Sequence, residues 1–193
     1  MFPFSGTVHY EFPNANNQKV TCNGGGKSTS WFDIIDIPVT DREPDNPSGI
    51  DSSCKKIHDL ITKVSTEQNI PYNKIILGGF SQGGAMSLIA GSTFPHSLGG
   101  VVSLSGWLLR KDVNVNGWGK THSKTPMFIG HGDADNVVLH SLGEEAASRI
   151  KTERDKEGGS GPVIFAVYKG EGHGACQEEI DDLGKFFRGI VEG

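Results

Sequence analysis

Five short apolar runs punctuate the chain: Thr7–Phe12, Lys74–Gly79, Gly100–Ser105, Thr125–Gly130 and Val163–Tyr168. The last four are β-branched-rich or apolar throughout, the pattern of strands covered on both faces. Between them the period changes. Ile50, Cys54, Ile57, Ile61 and Val64 step by 4, 3, 4 and 3 residues, one face of a helix. The breaker-rich stretch DREPDNPSG precedes it, with Ser48 or Asp51 as candidate caps. Small residues predict a second helix from Gln82 to about Thr93, ahead of Pro95. A third runs from Ser141 to about Lys156 through Leu142, Ala146 and Ile150, and stops at GGSGP. Ile180, Leu183, Phe186, Phe187, Ile190 and Val191 predict a closing helix. Strands alternating with helices predict an α/β fold: a mainly parallel sheet with helices on both faces, in one domain over residues 1–193.

Composition narrows the function. The 193 residues are 35% hydrophobic and 21% charged, with a net charge of -5. No basic stripe is visible, so a nucleic-acid partner is not expected. No apolar run approaches a membrane span, and the N-terminus has no basic-then-apolar secretory pattern. Cys22, Cys54 and Cys176 are odd in number and form no CxxC pair, so neither a disulfide framework nor a zinc ribbon is indicated. A reducing, cytoplasmic setting is expected.

The most informative stretch is Ile75 to Ala85, where Gly79-x-Ser81-x-Gly83 lies between an apolar strand and a small-residue helix. That is the context of a nucleophile elbow, whose tight turn requires small neighbours two residues either side of the serine. The serine projects above the sheet, and the helix N-terminus, with the Gln82 N–H, faces developing negative charge. A serine hydroxyl needs a base and an orienter. In this fold class the order is Ser, then Asp or Glu, then His. After the strand Met127-Phe128-Ile129 come Asp133 and Asp135. After Phe165-Ala166-Val167-Tyr168 comes His173, flanked by glycines. Each follows a strand's C-terminal end, where open α/β sheets place their sites. The acid is Asp133 or Asp135. His131 precedes the acid and is read as a supporting residue.

At these residues the chain resembles the acyl-protein thioesterase and carboxylesterase family, which includes lysophospholipase-like proteins. The likeness covers nearly the whole chain. It rests on Ser30-Trp31-Phe32-Asp33-Ile34, on Ile75 to Ala85, on His131-Gly132-Asp133-x-Asp135-x-x-Val138 and on Gly170-Glu171-Gly172-His173. The resemblance implies an α/β-hydrolase fold, with Ser81, Asp135 and His173 as catalytic residues and Asp133 as the fallback acid. It implies hydrolysis of carboxylic esters or of thioesters of acylated proteins, without cofactor or metal. Trp31, Trp107 and Leu108, with Phe32, Leu109 and Trp118 nearby, are candidates for an apolar acyl groove. One departure stands out. The family carries an earlier strand ending in His-Gly-x-Gly-Asp, whose backbone supplies half of the oxyanion hole. No such motif precedes Thr7–Phe12, so the chain is expected to be shortened at its N-terminus. Thr7–Phe12 is then expected beside the nucleophile strand, with Asn14, Asn16 and Asn17 offering a second oxyanion donor. Pairing with a second chain, as a homodimer, is the alternative.

Three rival readings remain. Gly24-Gly25-Gly26-Lys27-Ser28 partly matches a P-loop, but Thr21 stands at its first glycine position. His131, Asp133, Asp135 and His140 have residue types suited to a divalent ion. The serious rival is a weak or inactive acyl-chain binder of the same fold.

Overall fold

The structure, a computed structural model, describes residues 8–119 and 122–191. A four-stranded parallel sheet forms its centre, from β3 (Ile76–Phe80), β4 (Gly100–Leu104), β5 (Met127–Gly132) and β6 (Val163–Tyr168), in that spatial order. Ahead of it lies a separate antiparallel hairpin of β1 (Asn16–Val20) and β2 (Gly26–Ser30). The helices are α1 (Pro47–Gln68), α2 (Gln82–Thr93), α3 (Lys111–Gly119), α4 (His140–Lys156) and α5 (Gln177–Val191).

Alternation along the strands sorts the core into two layers. Val101, Met127 and Ile129 face one side, against Ile50, Ile57 and Ile61 of α1, Leu88 and Ile89 of α2, Trp118 of α3 and Ile150 of α4. Val102 and Phe128 face the other, against Leu183 and Phe186 of α5. Helices therefore cover both faces, as the strand–helix alternation predicts. The interior strand β5 is buried at all six residues.

Several expectations need correction. Residues 8–12 form no strand, and Thr7 lies outside the described residues. Tyr10 and Phe12 are instead exposed and stack on each other. The run Val-His-Tyr-Glu-Phe has strand propensity, but no described strand pairs with it. Consequently β3 is an edge of the sheet: among the described residues, only β4 pairs with it. Helix α1 is capped by Asn46, whose Oδ1 accepts from the Gly49 N–H at 2.7 Å, and it opens on Pro47. Ser48 and Asp51 are inside it. The hairpin escapes an apolar reading because NNQKV and GKSTS are mostly polar and exposed. Its glycines serve the turn, Gly24 and Gly25 having φ of 65° and 74°. Lys27 and Ser28 lie in β2 with no helix after them, so the phosphate-loop reading fails. Helix α3, KDVNVNGWG, has no clear helical period; it is fixed from outside, by the fully buried Trp118 and by Val115.

Candidate active site

Three loops leave the C-terminal ends of β3, β5 and β6 and meet above the sheet. The first is the turn from β3 into α2. Ser81 sits there with φ 55° and ψ -120°, a strained conformation for a residue with a Cβ. The turn closes so tightly that a Cβ on Gly79 would overlap the Gly83 backbone. Gly83 is different: a Cβ there meets nothing within 4 Å. The symmetric expectation of two sterically required glycines thus holds at Gly79 alone.

The second and third loops are laced together. The Ala134 N–H donates to the Glu171 carbonyl at 3.0 Å, and the Gly170 N–H donates to Asp133 Oδ1 at 2.6 Å. A side chain on Gly132 would run into the Glu171 carbonyl, so glycine permits this approach. Asp133 is thereby used to tie down the histidine loop. The carboxylate within reach of His173 is that of Asp135: its Oδ2 lies 2.8 Å from His173 Nδ1. On the other side of the ring, His173 Nε2 is 2.9 Å from Ser81 Oγ. A carboxylate only accepts, so Nδ1 carries the hydrogen and Nε2 is free to accept from the serine. Phe80, partly exposed, lies against the His173 ring with centroids 4.8 Å apart.

The Asp135 side chain is fully buried. Burial alone would raise its pKa. Hydrogen bonds from His173 and from the Val138 and Val137 N–H groups, both at 2.9 Å, outweigh this and hold it below the usual carboxylate value. His131, also fully buried, has its pKa lowered by burial.

The sequence as a whole matches the phospholipase/carboxylesterase family model over residues 5–190. The chain belongs to the phospholipase/carboxylesterase family. Its fold is that of the α/β hydrolases, and the protein is a hydrolase. Acyl-protein thioesterase 1 of Candida albicans is 35% identical over 188 residues, spanning 96% of this chain and 79% of that one. The Neurospora crassa acyl-protein thioesterase 1 is 38% identical, over 93% of this chain and 72% of that one. Among solved structures, Arabidopsis thaliana SOBER1 superposes with a TM-score of 0.84 at 28% identity, covering 94% of this chain and 83% of that one. Zea mays acyl-protein thioesterase 2 gives 0.73 at 27%, covering 93% and 80%.

Around the three loops, Gln82 clamps the elbow. Its Oε1 accepts from the Trp31 N–H at 2.9 Å, and its Nε2 donates to the Phe32 carbonyl at 2.8 Å. The Gln82 N–H itself lies in the first turn of α2, where backbone donors lack intrahelical acceptors. A cavity of about 500 Å³ lies beside this region, lined by Phe32, Trp107, Leu108 and Leu109 with Glu43 and Lys111 among its polar wall. Ser81 and His173 are not in its lining. Trp31 is not either; its ring lies 5.9 Å from Lys56 Nζ on α1. Trp118 is buried against Arg154, away from the cavity. The asparagines expected to help an oxyanion are elsewhere: the Asn14 carbonyl and Asn16 Oδ1 hold Lys56 Nζ, and Asn17 pairs with Thr29 in the hairpin. Sequence reasoning missed the Gln82 clamp and the Phe80 contact. Ser30-Trp31-Phe32 and Gln82 are 50 residues apart, so no local pattern links them.

Proposed function

We propose that this hydrolase cleaves carboxylic esters or acyl thioesters through a covalent acyl-enzyme on Ser81. The observation that carries the reading is the hydrogen-bonded chain from Ser81 Oγ through His173 to Asp135, with links of 2.9 and 2.8 Å. Ser81 Oγ attacks the acyl carbonyl while His173 Nε2 takes its proton. The tetrahedral oxyanion receives the Gln82 N–H at the start of α2. His173 returns the proton to the departing alcohol or thiol as the carbonyl re-forms. Water then attacks the acyl-serine with His173 again as base, releasing the acid and restoring Ser81. Asp135 holds the imidazole in the required tautomer and stabilises the imidazolium. Trp107 and Leu108 form the apolar wall that receives the acyl chain, in one catalytic domain. The relatives' names supply the substrate class, an acylated protein.

A second reading, an acyl-chain binder without catalytic turnover, is favoured by the edge position of β3 among the described strands. Among the described residues only Gln82 is assigned as an oxyanion donor, and in hydrolases of this kind one donor is worth about 10²–10³ in kcat. The two readings separate on hydrolysis of a short p-nitrophenyl ester. Turnover above the uncatalysed rate that vanishes in folded Ser81→Ala supports the enzyme. Turnover unchanged by that substitution removes Ser81 from the mechanism.

A further inference from the structure

A second histidine touches the Asp135 carboxylate. His131 ends β5 almost at its tip and is fully buried. Its Nε2 lies 3.0 Å from the Val138 carbonyl and 3.3 Å from Asp135 Oδ2, the same oxygen that faces His173. Both neighbours are acceptors, so Nε2 must carry a hydrogen. Its other nitrogen, Nδ1, is buried and has no hydrogen-bond partner among the described residues. The backbone of Gly143 on α4 packs against that edge of the ring, where a Cβ would collide with Nδ1. A hydrogen on Nδ1 would be a buried donor with nothing to accept it, a cost of about 1–3 kcal/mol. The ring is therefore a neutral, single-tautomer donor. The groups facing it are Asp135 from its own loop, His173 from the loop after β6, and His140 from α4, whose ring centroid is 5.8 Å away.

We propose that His131 is a positioning residue for hydrolysis: its Nε2–H, shared between the Val138 carbonyl and Asp135 Oδ2, fixes the carboxylate and limits its basicity. The inference rests on the reading of Ser81, Asp135 and His173 given above. Asp135 accepts three hydrogen bonds, two at Oδ1 from the Val137 and Val138 N–H groups and one at Oδ2 from His173, and the His131 Nε2–H stands 3.3 Å from that same Oδ2 as a further positive dipole. Each donor disperses negative charge that would otherwise act on His173. Removing one leaves a more basic carboxylate, which favours the imidazolium and keeps His173 protonated to higher pH. Val138 takes part twice, by its N–H to Oδ1 and its carbonyl to His131, so the ring also closes the acid loop on itself.

The test compares His131→Leu, which keeps bulk and loses the donor, with His131→Gln, whose side-chain amide reaches a similar place. In His131→Leu the acidic limb of kcat/KM against pH moves up by about half to one unit. Rates fall about two- to threefold at pH 7 and return towards wild type at pH 9, with KM little changed. His131→Gln restores the limb. A lowered plateau with an unmoved limb in both variants makes His131 a packing residue and overturns the proposal. Nitrogen NMR of the wild-type ring supplies an arm free of mutation and activity. The expected result is the Nε2–H tautomer, unchanged from pH 5 to 8. An Nδ1–H tautomer, or titration in that range, overturns the proposal even if His131→Leu does not fold. Should the wild type show no Ser81-dependent turnover, the catalytic reading fails, whereas the tautomer still reports on His131.

Discussion

Ser81 has two unlike flanks. Towards β4 and β5 the strands are paired on both sides, and the acid and histidine loops are fixed by backbone bonds to each other. On the other flank β3 has no strand beside it among the described residues, Gly78 is exposed, and Phe80 keeps 41% of its surface accessible. The difference separates two parts of catalysis that are usually discussed together. In the proposed mechanism, proton transfer depends on the built flank, where Ser81, His173 and Asp135 stand at hydrogen-bond distance. Oxyanion stabilisation depends on donors around the elbow, and only Gln82 is assigned there.

The built flank can be broken hardest at the acid. Asp135→Asn removes the acceptor that sets the His173 tautomer, and kcat for a p-nitrophenyl ester should fall on the order of 10³–10⁴. Asp133→Asn, which loses the charge but keeps an oxygen able to accept from the Gly170 N–H, should cost about tenfold or less. Equal losses from the two substitutions would mean that the acid has been misassigned.

The elbow gives a sharper contrast, because its two glycines are not equivalent. Gly79→Ala places a methyl into the Gly83 backbone and should destabilise the fold by about 3 kcal/mol or more. Gly83→Ala meets open space and should change stability by less than about 1 kcal/mol. Urea unfolding of both variants reads the difference. Similar losses would show that the turn is governed by something other than this close approach.

A smaller effect lies beneath the histidine loop. Glu179 of α5 is 1% exposed, and its carboxyl is pushed up to about 7 by burial and by Glu171. The folded carboxyl keeps its proton to about pH 7, whereas an ordinary one releases it near 4.5. Its favourable contribution is therefore full below pH 4.5 and is lost as pH rises to about 7. Glu179→Gln should be more stable than wild type at pH 8 by on the order of 2 kcal/mol, with the gap closing on acidification. A gap that does not vary with pH would remove the ionisation argument.

Much of this was legible along the chain because it is local. Lys74 to Ala85 announces strand, turn and helix in order, and α2 runs Gln82–Thr93 as its small residues predict. The loops holding Asp135 and His173 are readable as polar and glycine-rich ends of apolar strands. What resisted reading depends on contacts far apart in sequence. Thr7–Phe12 has the composition of a strand, but a strand exists only where a neighbour accepts its backbone bonds. The hairpin is polar, α3 is held by Trp118 rather than by its own period, and Trp31 turns towards Lys56 instead of the cavity. The choice between Asp133 and Asp135 could not come from spacing either. It depends on which carboxylate faces a histidine 38 residues later.

Reaction with a fluorophosphonate, followed by peptide mass spectrometry, tests the central claim most directly. The reagent demands an activated serine and does not demand efficient turnover, so it reads the built flank independently of the open one. One adduct per chain on Ser81, absent in Ser81→Ala and suppressed in His173→Ala, is the predicted result. Folded wild-type protein that takes no adduct, or takes it at another serine, would contradict the assignment of Ser81, His173 and Asp135 as the hydrolytic machinery.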